Sequence, residues 1–255
     1  MNKPRILITN DDGIHSKGIY ALWQAMDELG DTFVVAPHEE QSAKSHAITI
    51  SDPLRVQKIE RPNGFMGHAI SGTPADCAKI AIKSLMIEQP DILISGINQG
   101  ANLGTNLIYS GTVSAATEGA LLGIPSIAIS LASFKTDNYK VAKKVATNVV
   151  KYVMKNNLPK GTLLNVNVPY CNENMINGFR ITRQGNQHFV DEFEERSDPR
   201  NKTYYWIKGK AVDEDKSMDY DGKALLEKYV SITPVHYKLT NESYLEELKQ
   251  QFLDA

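Results

Sequence analysis

The stretch Arg5-Ile6-Leu7-Ile8-Thr9-Asn10-Asp11-Asp12-Gly13 decides the reading of this chain, because an apolar run ends abruptly in two adjacent carboxylates and a glycine. A short, wholly apolar run predicts a β-strand covered on both faces. Asp11 and Asp12 then lie just past its carboxyl end, the edge of an open α/β sheet where ligands bind. Neighbouring anions repel there unless a cation lies between them, so the pair points to a divalent metal. Asn-Asp and Asp-Gly are equally hairpin-turn signals. A hairpin needs a second strand of period two, whereas Ile19, Leu22, Trp23, Met26 and Leu29 recur at helical spacing. The chain therefore reads strand, loop, helix, with the helix over residues 17–29 and Gly30 closing it.

The 255 residues suffice for one large or two modest domains with a real core. With 42% hydrophobic and 23% charged residues and a net charge of −2, no global field recruits a nucleic-acid polymer or an acidic membrane. A small molecule is the expected partner. Cys77 and Cys171 form no CxxC or secreted-type framework, as expected of reduced thiols. No apolar run reaches membrane-spanning length and no leader is legible, so a cytoplasmic protein is expected.

Residues 32–36 read as a second buried strand, stopped by Pro37. The polar loop 38–46 is long for a βα connection and so suspect as functional. Residues 47–50 and 54–59 read as short strands and 64–68 as a turn. Ser71-Gly72-Thr73-Pro74-Ala75-Asp76 has the grammar of a helix start, with Thr73 as N-cap and Pro74 in the first turn. Residues 90–95 repeat the opening theme, a strand running into Gly96-Ile97-Asn98-Gln99-Gly100-Ala101-Asn102-Leu103-Gly104. That loop is neither a dinucleotide fingerprint nor a P-loop, yet its glycines let backbone N–H groups approach an anion. Ser110, Gly111 and Thr112 precede a helix over residues 113–122, whose free amides and hydroxyls make a phosphate site. Strands at 124–130 and 162–168 flank a helix at 138–155.

Such alternation implies an α/β fold, a Rossmann-like doubly wound and mostly parallel sheet, over a catalytic core at 1–176. Beyond it, residues 178–183 and 203–208 read as strands joined by a charged connection at 191–200. They belong to a β-rich arm at 177–239, an antiparallel segment suited to packing on a neighbouring subunit. The acidic run 212–221 reads as a solvated loop, and 230–239 as a strand broken by Pro234. Residues 240–255 form a terminal helix.

Asp11, Asp12, Ser42 and Asn98 lie on loops that converge on one sheet edge and offer only oxygen ligands. Such donors suit Mg²⁺ or Mn²⁺, and no His and Cys cluster has zinc spacing. With Ser110, Thr112 and the glycine loop as anion donors, phosphoryl transfer to water is the expected reaction class. A signalling receiver module also pairs acids after its first strand, but it needs a third aspartate at a later strand end, and Asp91 precedes its strand. A haloacid-dehalogenase-type phosphatase needs an Asp-x-Asp spacing. A non-catalytic, Mg²⁺-dependent nucleotide-binding protein is the remaining alternative.

Together, Asn10-Asp11-Asp12-Gly13, Gln41-Ser42 with Ser45-His46-Ala47-Ile48-Thr49, Ser71-Gly72-Thr73-Pro74, residues 95–104 and Tyr109-Ser110-Gly111-Thr112 resemble the SurE family of survival-protein nucleotidases. Thr233-Pro234-Val235-His236 extends the likeness to nearly the whole chain. The resemblance implies a metal-dependent phosphatase of nucleoside 5′- and 3′-monophosphates, and often of short polyphosphate. It implies one divalent ion, Mg²⁺ or Mn²⁺, per subunit on Asp11, Asp12, Ser42 and Asn98. It places phosphate contacts at Asn102, Ser110 and Thr112, with Asn10, Gly100 and Gly111 completing the substrate site, and it brings His236 from the C-terminal region. It also implies a homodimer or homotetramer with exchanged arms.

A metal-activated water is the expected nucleophile, with Asp11 or Asp12 as a secondary covalent route and His236 protonating the leaving ribose oxygen. His15, His46, His68 and Glu118 are expected to be structural. One departure from the family pattern is Ala43, where many relatives carry glycine; it adds only a methyl unless φ there is positive.

Overall fold

Successive residues of strand β1 (Arg5–Thr9) face opposite ways, so Ile6 and Ile8 enter one hydrophobic core and Leu7 another. Helices α1 (Lys17–Asp27) and α4 (Lys140–Asn156) close the first core, and α2 (Pro74–Ile80) and α3 (Gly111–Leu121) the second. The computed structural model describes residues 3–253. The remaining strands are β2 (Asp31–Pro37), β3 (Val56–Glu60), β4 (Met66–Ile70), β5 (Ile92–Gln99), β6 (Ser126–Leu131), β7 (Thr162–Val168), β8 (Phe179–Ile181), β9 (His188–Ser197), β10 (Thr203–Val212) and β11 (Val230–His236). The remaining α-helices are α5 (Asp221–Leu226), between β10 and β11, and the terminal α6 (Glu242–Leu253).

One sheet runs β3-β4-β2-β1-β5-β6-β7-β11-β8. Its strands from β4 through β7 are parallel, while β3 pairs antiparallel with β4 and β11 antiparallel with β7, and β8 runs parallel to β11 at the far edge. Among the parallel strands, chain order grows outward from β1 in both directions. The crevice between the carboxyl ends of β1 and β5 is therefore the topological switch point, where ligands bind in such sheets.

The start of α2 is as expected: Asp76 N–H donates to Thr73 Oγ1 at 3.1 Å and Thr73 N–H to Asp76 Oδ2 at 2.9 Å, a complete capping box. Other segments differ from expectation. Residues 66–70 are strand β4, hidden in the sequence because a glycine and a histidine interrupt an apolar pattern. Residues 47–50 lie outside every ladder. The charged run 191–200 is largely strand β9, paired with β10 in a separate two-stranded ribbon. Its charges occupy both exposed faces, so no alternation betrays it.

Within residues 177–239, β8 and β11 complete the main sheet and only β9 and β10 stand apart. Pro234 does not break β11, because β8 pairs with it only as far as Ile232, leaving no partner for a missing N–H on that side. The acidic run ends in a fully buried residue, Asp221, which accepts hydrogen bonds from the backbone N–H groups of Gly104 (2.9 Å), Gly185 (3.0 Å) and Gly222 (2.8 Å). Among the described residues no helix is long and apolar enough to cross a membrane.

Candidate active site

β1 delivers Asp11 and Asp12 into the switch-point crevice, and buried packing sets their positions. Asn10 is fully buried and does not line the cleft. Its Nδ2 donates to Gly13 O at 3.1 Å and Ser16 Oγ at 2.8 Å, binding the turn to the N-cap of α1. Gly13 has φ +89°, a left-handed conformation that suits glycine alone at little strain. Asp11 Oδ1 accepts a hydrogen bond from Thr112 Oγ1. A Cβ on Gly111 would fall 2.6 Å from the Asp11 Cβ. Gly111 and Thr112 therefore brace Asp11 from behind. Thr112 is wholly buried and its hydroxyl is spent on that carboxylate rather than facing a phosphate.

A cleft of about 590 Å³ brings together Asp11, Asp12, Ser42, Asn98, Gly100, Asn102 and Ser110. Asn98 Nδ2 donates to Gly100 O at 2.8 Å, so its carboxamide oxygen is the atom it can offer to a cation. Ser110 caps α3 by accepting from Val113 N–H at 3.2 Å, so its own hydroxyl proton is available to an anion. Asn102 is clamped on every side. Its N–H donates to Asn167 Oδ1 at 2.8 Å, its Nδ2 to Ser130 Oγ at 2.8 Å, and its carbonyl accepts from Asn165 and Asn167 at 2.9 and 3.0 Å. Asn165 and Asn167 were missed as site supports, although two asparagines inside an apolar strand must find buried partners.

The glycine loop serves differently from expectation: Gly100 N–H donates to Leu131 O and Gly104 N–H to Asp221, both at 2.9 Å. Those amides are not free for an anion.

Ser42 sits on an exposed coil and donates to Glu40 Oε1 at 2.6 Å. The coil is fastened at separate points. Gln41 N–H donates to Asp11 O at 2.8 Å, Ser45 Oγ to Ile108 O at 2.7 Å, and Thr49 Oγ1 to Asp76 Oδ2 at 2.6 Å. His46 Nε2 lies 2.9 Å from Glu118 Oε2, and Lys79 Nζ 3.1 Å from Glu118 Oε1. Burial alone raises the Glu118 carboxyl, but the hydrogen bonds from His46 and Lys79 hold it below the usual range. Ala43 has φ +58°, so its methyl sits in left-handed backbone.

Burial pushes the Asp11 carboxyl up, and the Thr112 hydrogen bond offsets only part of this. Asp12 is pushed up to about 7, first by burial and then by the charge of Asp11, with Glu40 adding to both. Buried like charges beside serine and amide oxygens form a hard, all-oxygen donor set, and that set fits Mg²⁺ or Mn²⁺. Among the described residues no three or more His, Cys, Asp and Glu side chains gather for a metal, so a cation here relies on Ser42 and Asn98.

His236 is not brought to this cleft. It pairs with Thr162, the first residue of β7, at the amino edge of the parallel strands. Seven residues of β7 separate that edge from the carboxyl edge, roughly 20 Å of extended chain.

An open sheet whose switch point offers paired carboxylates beside a helix amino terminus defines an α/β protein of the phosphate-handling class. The family model described as Survival protein SurE matches residues 6–191, and the chain belongs to that family. It is 48% identical to the 5′-nucleotidase SurE of Syntrophobacter fumaroxidans over 96% of this chain and 98% of that protein. It is 46% identical to the 5′-nucleotidase SurE of Heliobacterium modesticaldum over 96% and 90%. The crystal structure of the SurE protein from Aquifex aeolicus superposes with a TM-score of 0.84 at 39% identity, covering 99% of this chain and all of that one.

Proposed function

We infer that the chain is a 5′-nucleotidase, a phosphoric monoester hydrolase that cleaves nucleoside 5′-monophosphates to nucleoside and phosphate. The observation that carries this is the convergence of Asp11, Asp12, Ser42 and Asn98 in one cleft with Ser110 at the amino end of α3. Asp11, Asp12, Ser42 and Asn98 hold one divalent ion, which when bound neutralises phosphate charge and lowers the pKa of water. Ser110 donates its hydroxyl proton to a phosphate oxygen, and Asn102, immobilised by Asn165, Asn167 and Ser130, borders the same position. Thr112 and Gly111 act through Asp11, by fixing its carboxylate. His236 has no part in the chemistry within one chain. Because the cleft grips the phosphate, 3′-nucleotides and short polyphosphate fall within the same reading.

Assembly as a dimer or tetramer through the β9–β10 ribbon, which exposes Phe193, Tyr205, Trp206 and Ile207, is part of it. So is a cytoplasmic setting, in keeping with two free cysteines.

The test is phosphate release from a panel of nucleoside monophosphates, with and without chelator, by the native protein and by Asp11→Asn. Loss of the charge should lower turnover roughly a hundredfold or more. Chelator-resistant turnover, or full activity of the variant, overturns the cation site.

A further inference from the structure

We propose that Phe134 is a nucleobase platform, a subsite beside the phosphate cleft that takes a nucleoside by stacking on its base. The proposal rests on the nucleotidase reading and names how that site tells a nucleotide from a simpler phosphate ester.

Phe134 lies on the loop after β6 and is 81% exposed. A single exposed apolar side chain needs no explanation of itself; its position does. The cleft that holds Asp11 and Ser110 adjoins a second hollow of about 730 Å³. Asp12, Glu40, Gln99 and Phe134 line both. Phe134 therefore stands at the junction between the phosphate end and the open space that a nucleoside fills. Tyr109 and Phe189 also border the first cleft, but neither reaches the second.

The ring is braced as well as exposed. Gly100 has φ +105°, and a Cβ built there would fall 2.6 Å from Phe134 Cε1. The ring thus rests on bare backbone of the same loop that carries Asn98 and Asn102, and any side chain at position 100 would lift it away. An aromatic surface already in place binds at smaller conformational cost than one that must be ordered by the ligand. Every base has a π-face, so stacking is strong and tolerant of base identity. The platform selects nucleotides as a class, with purines, which overlap the ring more, ahead of pyrimidines.

The experiment compares AMP, UMP and ribose 5-phosphate, which keeps sugar and phosphate but has no base, as substrates of the native protein, Phe134→Ala, Phe134→Leu and Phe134→Trp. Adenosine is added as a competing ligand. Phe134→Ala and Phe134→Leu should raise KM for AMP roughly tenfold, and for UMP less, with kcat within about twofold. KM for ribose 5-phosphate should not move, inhibition by adenosine should weaken by the same factor, and Phe134→Trp should restore native values. Equal losses on AMP and ribose 5-phosphate, or no loss on either, overturn the platform and leave the nucleotidase reading standing. Failure of the native protein to release phosphate from any nucleotide, while it hydrolyses ribose 5-phosphate, defeats that reading itself.

Discussion

The candidate site has a rigid half and a tethered half. Asp11 belongs to the interior: it follows a buried strand, packs against Gly111 and accepts a hydrogen bond from a wholly buried threonine. Ser42 rides on an exposed coil outside any ladder, tied down by side chains at Ser45, His46 and Thr49. The difference follows from charge. Two adjacent carboxylates move apart if free to do so, so packing must hold them together. A neutral hydroxyl needs no such restraint and can adjust to what binds. The rigid half accordingly stores electrostatic strain, visible in the raised carboxyls, while the tethered half stores almost none.

The contrast breaks most strongly with pH. Asp12 in the folded chain titrates at about 7 against an ordinary 3.8, so the folded protein holds a proton that the unfolded chain has released. Its contribution to stability is complete below the unfolded value and is lost as pH rises through the folded one. In chelator, the unfolding free energy of the native protein relative to Asp12→Asn should therefore fall between about pH 4 and pH 7, by an amount on the order of a few kcal/mol. Urea denaturation across that range measures it, and a divalent cation should flatten the fall. Parallel curves for the two proteins would show that burial of Asp12 stores no strain.

The tethered half is tested at Glu118, whose buried carboxylate holds both His46 and Lys79. Because His46 and Lys79 are partly exposed, Glu118→Gln should cost only about 1–2 kcal/mol. Its signature is local: amide exchange should quicken at Gln41, Ser45 and Thr49, whose N–H groups hold the coil, and stay unchanged along β1. Affinity for Mg²⁺, read by calorimetry, should weaken only severalfold, because the carboxylates keep their places. Equal loosening of both halves would contradict the division.

The rigid half was largely legible in the sequence and the tethered half was not. Asp11 and Asp12 follow a local rule, an apolar run ending in acids before a helical pattern, and the Thr73 capping box is equally local. Ser42 was legible only as a member of a long polar loop and by family likeness, while its fastening depends on pairs far apart in the chain, His46 with Glu118 and Thr49 with Asp76, which no periodicity announces. Glu118 reads as an ordinary charge on a helix, yet it is buried because its partners come from elsewhere. Asp221 is the same case: its acidic neighbours suggest solvent, and only the fold brings backbone N–H groups to it. His236 is the opposite case: a motif fixes neighbours in sequence but not which edge of the sheet a returning antiparallel strand reaches, and within one chain that edge is the one away from the cleft.

The smallest expected effect lies at Ala43, the residue after Ser42. Its φ of +58° places Cβ against the following carbonyl, a conformation costing an L-residue about 1–2 kcal/mol that glycine avoids. Glycine in turn gives the unfolded chain more freedom, which removes part of that gain. Ala43→Gly should therefore stabilise the protein by about 0.5–1 kcal/mol, measured as a higher urea midpoint at unchanged slope. The tethers at Ser45 and His46 lie beyond the substitution, so KM and Mg²⁺ affinity should stay within about twofold of native. A loss of stability would mean that the alanine is held in its left-handed conformation by contacts worth more than the strain. Ser42 would then be fixed as firmly as Asp11, and the distinction between the two halves would fail at the residue nearest the site.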